Sequence, residues 1–227
     1  MRHNLFDGVL AVMTAERRTI QAGGKAVASA TPDRAGGPEL ALDFLNSAGS
    51  PDGRPDRLGT PADLLGWLEA RSLEDGRLTP LRSSPAEAAL LFTETQRLRD
   101  AARRSFEAFS RGGAPPPDAV HGIDRVLGAS SVSRRLLATP SGARLVEEEA
   151  GTGLRVALAP VALALAELLA TADPRRVRRC AAPDCRAWFL DTSKGGRRKW
   201  CSMARCGNRA KAAKHRRKHR AASASAG

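Results

Sequence analysis

The sequence lacks the long apolar runs and scattered cysteines that mark membrane and secreted proteins. Its first 179 residues contain no cysteine, and its longest uncharged apolar run, Val156–Ala166, has 11 residues. A membrane-spanning helix needs about 20 apolar residues, so no membrane span is predicted. The N-terminal apolar stretch contains Asp7 and is closed by charged residues 16–18, which makes a poor secretion signal. We therefore expect a cytoplasmic protein with reduced thiols.

The sequence also lacks a recognisable catalytic set. It shows no Ser/His/Asp or Cys/His nucleophile arrangement, no glycine-rich phosphate loop and no paired-carboxylate motif. His121 is isolated, and the acidic run 147–149 is more typical of a solvated strand edge than of a metal site. The sequence therefore predicts a binding protein and not an enzyme.

Positive charge is concentrated at one end of the chain. The 37 Lys and Arg residues outnumber the 24 Asp and Glu residues, which gives a net charge of +13. Residues 171–227 carry +14, whereas residues 1–170 carry −1. A cationic end on a nearly neutral body indicates a polyanionic partner, and nucleic acid is the first candidate.

Composition and motif positions divide the chain into four regions. Residues 1–38 are predicted to be a flexible extension, with a short helix within 1–20 followed by a Gly-, Ala- and Ser-rich linker. Residues 39–172 form the body, 173–220 a small module and 221–227 a disordered tail.

Two start signals predict helices in the body. Residues 60–63 (TPAD) and 84–87 (SPAE) each place a hydroxyl at the N-cap, proline at the first helical position and an acid at the third. After the second signal, apolar residues recur at steps of three and four until Gly112. Further elements follow from apolar spacing: a strand or helix entry at 39–46, a helix near 120–127, a small antiparallel sheet from three apolar segments within 131–160, and a helix over 160–172.

The four cysteines form two C-x4-C pairs separated by 15 residues. Four thiolates are the ligand set that structural zinc prefers, and a closed four-sulfur shell leaves no position for a catalytic water. The alternative is to combine the first pair with His215 and His219, but this leaves 29 intervening residues against about 12 in a two-Cys, two-His finger. We therefore predict one structural zinc ion, with these ligands: Cys180, Cys185, Cys201 and Cys206.

The residues around the cysteines predict a compact zinc finger. Residues 186–190 and 197–200 flank a Ser-Lys-Gly-Gly turn and predict a β-hairpin. Ser202 can cap a helix that runs through Cys206, whose thiolate the helix dipole favours. Knuckle, hairpin and helix is the order of a treble-clef finger. The predicted fold class is α+β: a mostly helical body with a small antiparallel sheet, followed by a treble-clef-like zinc finger with a basic C-terminal helix.

Several motifs have counterparts in a known family: Cys206–Arg209 (CGNR), Phe189–Ser193 (FLDTS), Trp200–Met203 (WCSM), Leu42–Ser47 (LDFLNS) and Leu98–Ala101 (LRDA). With the cysteine spacing, the first three make residues 175–220 resemble the CGNR zinc-finger family. In that family the finger follows an ABATE domain with LDFxNT-like and LRxA segments, which the last two motifs resemble over residues 39–170. The resemblance implies a stress-related transcription regulator.

The basic end supplies the predicted contacts with nucleic acid: Arg197, Arg198, Lys199, Arg205, Asn208, Arg209, Lys211, Lys214, Arg216 and Arg217. Lys and Arg bind phosphates by releasing counterions, while Arg209 has the chemistry to clamp guanine and Asn208 to clamp adenine. From Lys214 to Arg220 the charges point all round the helix, so no apolar face is left for a membrane. DNA is favoured over RNA. For Asn208 we favour the alternative, in which its side chain caps backbone near the zinc, and Trp188 and Trp200 are expected to fill the core more than to stack on bases.

Three polar residues interrupt apolar patterns in the body: Asp43, Asn46 and Arg99. They either line a pocket for a small-molecule effector or tie helices together, and we favour the tie. The predicted function is a zinc- and DNA-binding transcription regulator, cytoplasmic and nucleoid-associated, whose body senses a ligand or forms a homodimer. The alternatives are an RNA-binding or protein-docking finger and, less favoured, an enzyme with its site in the body.

Overall fold

A computed structural model describes residues 17–19, 37–49, 55–71, 73, 82–139, 142–151 and 154–224. The helices are α1 Gly37–Leu45, α2 Pro61–Glu69, α3 Pro85–Phe109, α4 Pro117–Leu127, α5 Ala159–Thr171 and α6 Asn208–Ala224. The strands are β1 Arg17–Thr19, β2 Ser130–Thr139, β3 Gly142–Gly151, β4 Val177–Arg179 and β5 Trp188–Leu190. Short 3-10 segments cover Leu154–Leu158 and Pro174–Arg176, and a π-helical turn covers Met203–Gly207.

The predicted helix starts are confirmed. Thr60 accepts a hydrogen bond from the Asp63 backbone N–H, and the Asp63 carboxylate accepts one from the Thr60 N–H, which completes a capping box at α2. At α3 the Ser84 hydroxyl caps the helix by accepting a hydrogen bond from the Glu87 N–H. The segment that sequence left open between strand and helix is helix α1, because Leu40, Ala41, Phe44 and Leu45 then share one buried face.

The long helix α3 lies at the centre of the body, against α1, α2, α4 and α5. Its own buried side chains follow the three-and-four spacing of the sequence pattern. The largest fully buried side chains of the described residues form one continuous core: Phe44, Leu58, Leu64, Leu68, Leu91, Leu98, Phe106, Val126, Leu158 and Leu165.

The small antiparallel sheet is confirmed, but its composition differs from the prediction. Strands β2 and β3, of ten residues each, form a hairpin, and Gly142 at the start of β3 has a φ of 137°. The third predicted apolar segment, Leu154–Leu158, is a 3-10 segment directly before α5. It packs against α3 and α5, which buries Val156, Ala157 and Leu158, so its apolar residues serve the helical core and not the sheet. The third strand is β1, which pairs with β3.

Strand β1 corrects two expectations from sequence. Residues 17–19 belong to a sheet and not to a helix, because they satisfy the backbone groups along the outer edge of β3. With the strand order β1-β3-β2, the acidic run 147–149 lies in the central strand and not at an edge. Its Cα register sets Glu147 opposite Arg18 and Arg134. The rest of the N-terminal extension lies outside the described residues.

Two further observations concern the C-terminal half. Helix α6 extends to Ala224, so residues 221–224 continue the helix and are not a disordered tail; alanine is the strongest helix former, and three of these four residues are alanine. Leu154–Thr171 is, by length and composition, the one stretch of the described residues that meets the requirements of a membrane span. Half of it is buried in the core of the body, which accounts for its apolar character.

Candidate zinc centre and cationic surface

The four cysteine thiols converge on one point. Their Sγ atoms all lie within 4.8 Å of one another, with 3.6 Å between Cys185 and Cys201 and 3.7 Å between Cys201 and Cys206. A tetrahedral zinc ion with Zn–S bonds of about 2.3 Å requires its sulfurs to stand roughly 3.8 Å apart. The cluster therefore fits one zinc ion held by four sulfurs, with no open position for substrate.

The electrostatics of the thiols point to the same conclusion. Burial, together with the neighbouring thiols, raises the pKa of Cys201 and Cys206 above the ordinary thiol value. Burial also acts on Cys185, but hydrogen bonds from the Ala187 backbone and the other thiols outweigh it and lower its pKa. Ionising all four thiols at this spacing would place four negative charges side by side, and a divalent cation offsets that repulsion.

The first two ligands lie on the β4–β5 hairpin. Cys180 directly follows β4 and its backbone N–H donates to the Ala187 carbonyl at 2.8 Å, while the Cys185 N–H donates to Ala182 at 3.1 Å. Arg186 takes a left-handed φ of 49° to turn the chain back into β5. This tight knuckle places both thiols on the same side of the hairpin.

The second pair lies at the start of the C-terminal helix, as predicted. Ser202 accepts a hydrogen bond from the Arg205 N–H and caps the turn that contains Cys206. A Cβ at Gly207 would collide with the Met203 sulfur and approach the Trp200 ring to 3.1 Å, so a side chain at this position would require the exposed Met203 side chain to move. A hairpin knuckle followed by a ligand-bearing helix is the treble-clef order.

The predicted hairpin between residues 186–190 and residues 197–200 is wrong, because the first segment pairs with a different part of the chain. Strand β5 pairs with β4, and residues 197–200 are not a strand. The reason is Asp191, whose fully buried carboxylate accepts hydrogen bonds from the Ser193 N–H and hydroxyl and from the Arg198 N–H. The Ser193 hydroxyl and these backbone donors hold the pKa of Asp191 below its ordinary value.

Asp191 is a residue that sequence reasoning missed. Its carboxylate bends the chain after β5 into a loop, and that loop brings the Lys199 carbonyl within 2.8 Å of the Ala181 N–H, next to Cys180. An acid followed at once by Thr-Ser is the local signal for such an Asx-type turn. The loop therefore connects the two cysteine pairs.

Comparison with family models decides the classification. The family described as "Putative stress-induced transcription regulator" (ABATE) matches residues 39–172, more than half of the chain. The chain belongs to the ABATE family. A second model, the CGNR zinc finger, matches residues 176–219, so the ABATE region is followed by a CGNR finger that contains all four thiols. No curated protein matches the chain.

Most of the predicted nucleic-acid residues of the CGNR finger have exposed side chains. Two arginines are partly engaged within the finger. Arg198 stacks its guanidinium 5.3 Å from the Phe189 ring and donates to the Cys201 carbonyl at 2.9 Å. Arg209 pairs with Asp184 at 3.1 Å and approaches the Cys206 sulfur at 3.7 Å. The remaining members are exposed: Arg197, Lys199, Arg205, Asn208, Lys211, Lys214, Arg216 and Arg217.

The three polar residues of the ABATE region lie in three separate contacts. Asp43 accepts from the Trp67 indole N–H at 3.0 Å and pairs with arginines at positions 57 and 71. Arg99 forms a bidentate pair with Asp56, at 2.7 and 2.6 Å. Asn46 bonds to the finger instead. The two described cavities, of about 430 and 370 Å³, are lined by none of the three, so an effector pocket at these residues stays a prediction.

Proposed function

We propose that this chain is a zinc-dependent, DNA-binding transcription regulator. Family membership supports a regulatory role, and the four-thiol cluster supports a structural zinc. The observation that carries the DNA-binding part is the cationic helix α6, which begins two residues after the ligand Cys206. Its 17 residues span about 25 Å at 1.5 Å per residue, long enough to follow a DNA groove across several phosphates.

The contacts within the finger divide the proposed interface into two groups. Arg198 and Arg209 are partly engaged in holding the finger together, so they are poorer candidates for base contacts than sequence reasoning suggested. Lys211 and Lys214 are exposed, and we assign to them contacts with phosphate. Asn208 is also exposed, and its side chain has no hydrogen-bond partner within residues 154–217; we assign to it a base edge.

For the remaining regions, we propose residues 39–172 as the regulatory part and residues 173–220 as the DNA-binding part. The regulatory part binds a small effector or mediates a homodimer. A regulator that binds chromosomal DNA belongs in the cytoplasm, with the nucleoid.

Binding is tested by fluorescence anisotropy with duplex DNA, structured RNA and an acidic protein at several salt concentrations. We expect DNA to bind best, with an affinity that falls steeply as salt rises. The double variant Lys211→Gln/Lys214→Gln should reduce the slope of log K against log salt by roughly 2, because two phosphate contacts are lost.

The matched control is Arg103→Gln/Arg104→Gln, which removes the same charge from the exposed surface of α3. It should leave the salt slope unchanged. A preference for RNA or for the acidic protein would replace DNA in the proposal, and equal slopes for the two double variants would refute the assigned role of α6.

A further inference from the structure

A side chain of the body holds the backbone of the zinc finger. Asn46 directly follows α1, and its amide nitrogen donates to the Trp188 carbonyl at 2.9 Å. Its amide oxygen accepts from the Trp188 N–H at 2.8 Å. One side chain thus satisfies both backbone groups of a residue 142 positions away in the sequence.

These two backbone groups have no partner within the hairpin. In the β4–β5 ladder, the Cys180 N–H bonds to Ala187 and the Asp191 N–H bonds to Arg176, which fixes the register. Trp188 falls between these positions, at a pair whose N–H and carbonyl point away from the partner strand. Asn46 therefore occupies the open edge of β5 as a neighbouring strand would.

The indole of Trp188 belongs to the core of the body. Trp188 is 5% exposed, and its ring meets that of Phe106 on α3 edge-on, with centroids 6.2 Å apart. The Arg179 guanidinium covers the indole at 4.6 Å and pairs with Glu107 on α3 at 3.0 Å. The hairpin is therefore anchored to the body by hydrogen bonds, by an aromatic contact and by an ion pair.

The same hairpin carries the first two zinc ligands. Cys180 is the residue after β4, and Cys185 stands three residues before Trp188. The Cys201 N–H, from the second pair, approaches the Cys180 sulfur at 3.4 Å. A shift of the β5 backbone would therefore change the spacing of the sulfurs.

We propose that Asn46 is a positioning residue for the zinc site. By fixing the β5 backbone on α1, it couples zinc binding to the folding of the body, so that each stabilises the other. Thermodynamic linkage requires the coupling to be reciprocal. Loss of the Asn46 contacts therefore weakens zinc binding and reduces the stabilisation of the body by zinc by the same factor. The coupling is independent of whether the finger binds DNA.

The test compares Asn46→Ala with Ser47→Ala in the full-length protein. Ser47 is the adjacent buried residue, and its hydroxyl bonds only within the body, to the Phe44 carbonyl and the Arg99 guanidinium. Zinc affinity is measured by competition with a chromophoric chelator. We expect about a tenfold loss for Asn46→Ala, since a buried N–H and carbonyl lose their partners, and less than a twofold change for Ser47→Ala.

Two further readouts separate positioning from a local role in α1. Asn46→Ala should lower the melting temperature of the zinc-loaded protein more than that of the chelated protein, whereas Ser47→Ala should lower both equally. The cobalt-substituted variant should keep the absorption bands of a tetrahedral four-thiolate site. Unchanged zinc affinity, or equal melting losses with and without zinc, would overturn the proposal.

Hydrogen exchange on the unmutated protein keeps the test decisive if Asn46→Ala fails to fold. Removing zinc should reduce protection of amides at the end of α1 and around Phe106, as well as in the finger. A loss of protection confined to residues 176–219 would overturn the coupling.

Discussion

Truncating Trp188 to alanine distinguishes a core role for this residue from a role in stacking on bases. Trp188 is 5% exposed and touches Phe106 and Arg179. Burying a tryptophan removes roughly 200 Å² of apolar surface from water, which at about 25 cal/mol per Å² corresponds to an upper bound near 5 kcal/mol. Tryptophan-to-alanine changes in protein cores cost about 3–5 kcal/mol, so Trp188→Ala should remove a large part of a total stability of about 5–15 kcal/mol.

The assay is urea unfolding of the zinc-loaded protein, followed by circular dichroism. The control is Trp200→Ala, because Trp200 is half-buried beside the cysteine cluster and does not belong to the core of the body. We expect Trp200→Ala to affect zinc affinity more than the stability of the body. Should Trp188→Ala not fold, Trp188→Leu retains apolar volume and should lose less. A loss below about 1 kcal/mol for Trp188→Ala, accompanied by weaker DNA binding, would refute the core role and favour base stacking.

Two other predictions follow from buried carboxylates. Hydrogen bonds from Arg155 and Arg97, together with the charge of Arg125, hold the pKa of Glu94 below its ordinary value of 4.5, against the opposing effect of burial. Its contribution to stability is therefore full above the unfolded-state pKa and is lost as the pH falls through the lower folded-state pKa. Glu94→Gln should lower the free energy of unfolding by about 1–2 kcal/mol near neutral pH, as measured by urea titration. In acid the variant and the unmutated protein should be equally stable, and a difference that persists in acid would contradict the linkage. Asp191→Ala should weaken zinc binding severalfold, because the loop between the cysteine pairs loses its hydrogen-bond acceptor. The control is Thr192→Ala, a change at the exposed neighbouring residue, which should leave zinc binding unchanged. Equal zinc affinities of the two variants in chelator competition would show that Asp191 does not order the loop.

Local chemistry made the helices and the metal site predictable. The signals at Thr60 and Ser84 act within one helical turn, so they are visible in sequence, and the resulting caps are present. The four cysteines are recognisable because the chemistry of zinc fixes both the ligand type and the need for paired spacing. Residues that bind a metal or cap a helix have few alternative environments.

Long-range pairing accounts for what sequence reasoning missed. Residues 17–19 form a strand only because the edge of β3 is available, and β5 pairs with β4 only because Asp191 bends the following chain away. Asn46 looked like a polar residue inside an apolar pattern, with either a pocket or a tie as its role. Its partner is a backbone segment in another region of the chain, which no periodicity indicates.

The contacts of Asn46 and Trp188 change how the finger is understood. Charge and cysteine content set residues 171–227 apart from the rest of the chain, as though they were an appended module. The structure instead places Val177 and Trp188 in the same core as the helices of the ABATE region. A finger anchored in this way presents helix α6 from a fixed base.

We propose above that zinc held by the four cysteines sustains DNA binding by this chain. The most direct test measures duplex-DNA binding by the zinc-loaded protein, the chelated protein and the variant Cys201→Ser/Cys206→Ser, with the metal content of each sample determined. We expect one zinc per chain in the loaded protein, binding that is lost on chelation and restored by added zinc, and no binding by the variant. Equal DNA affinity in all three samples would contradict it.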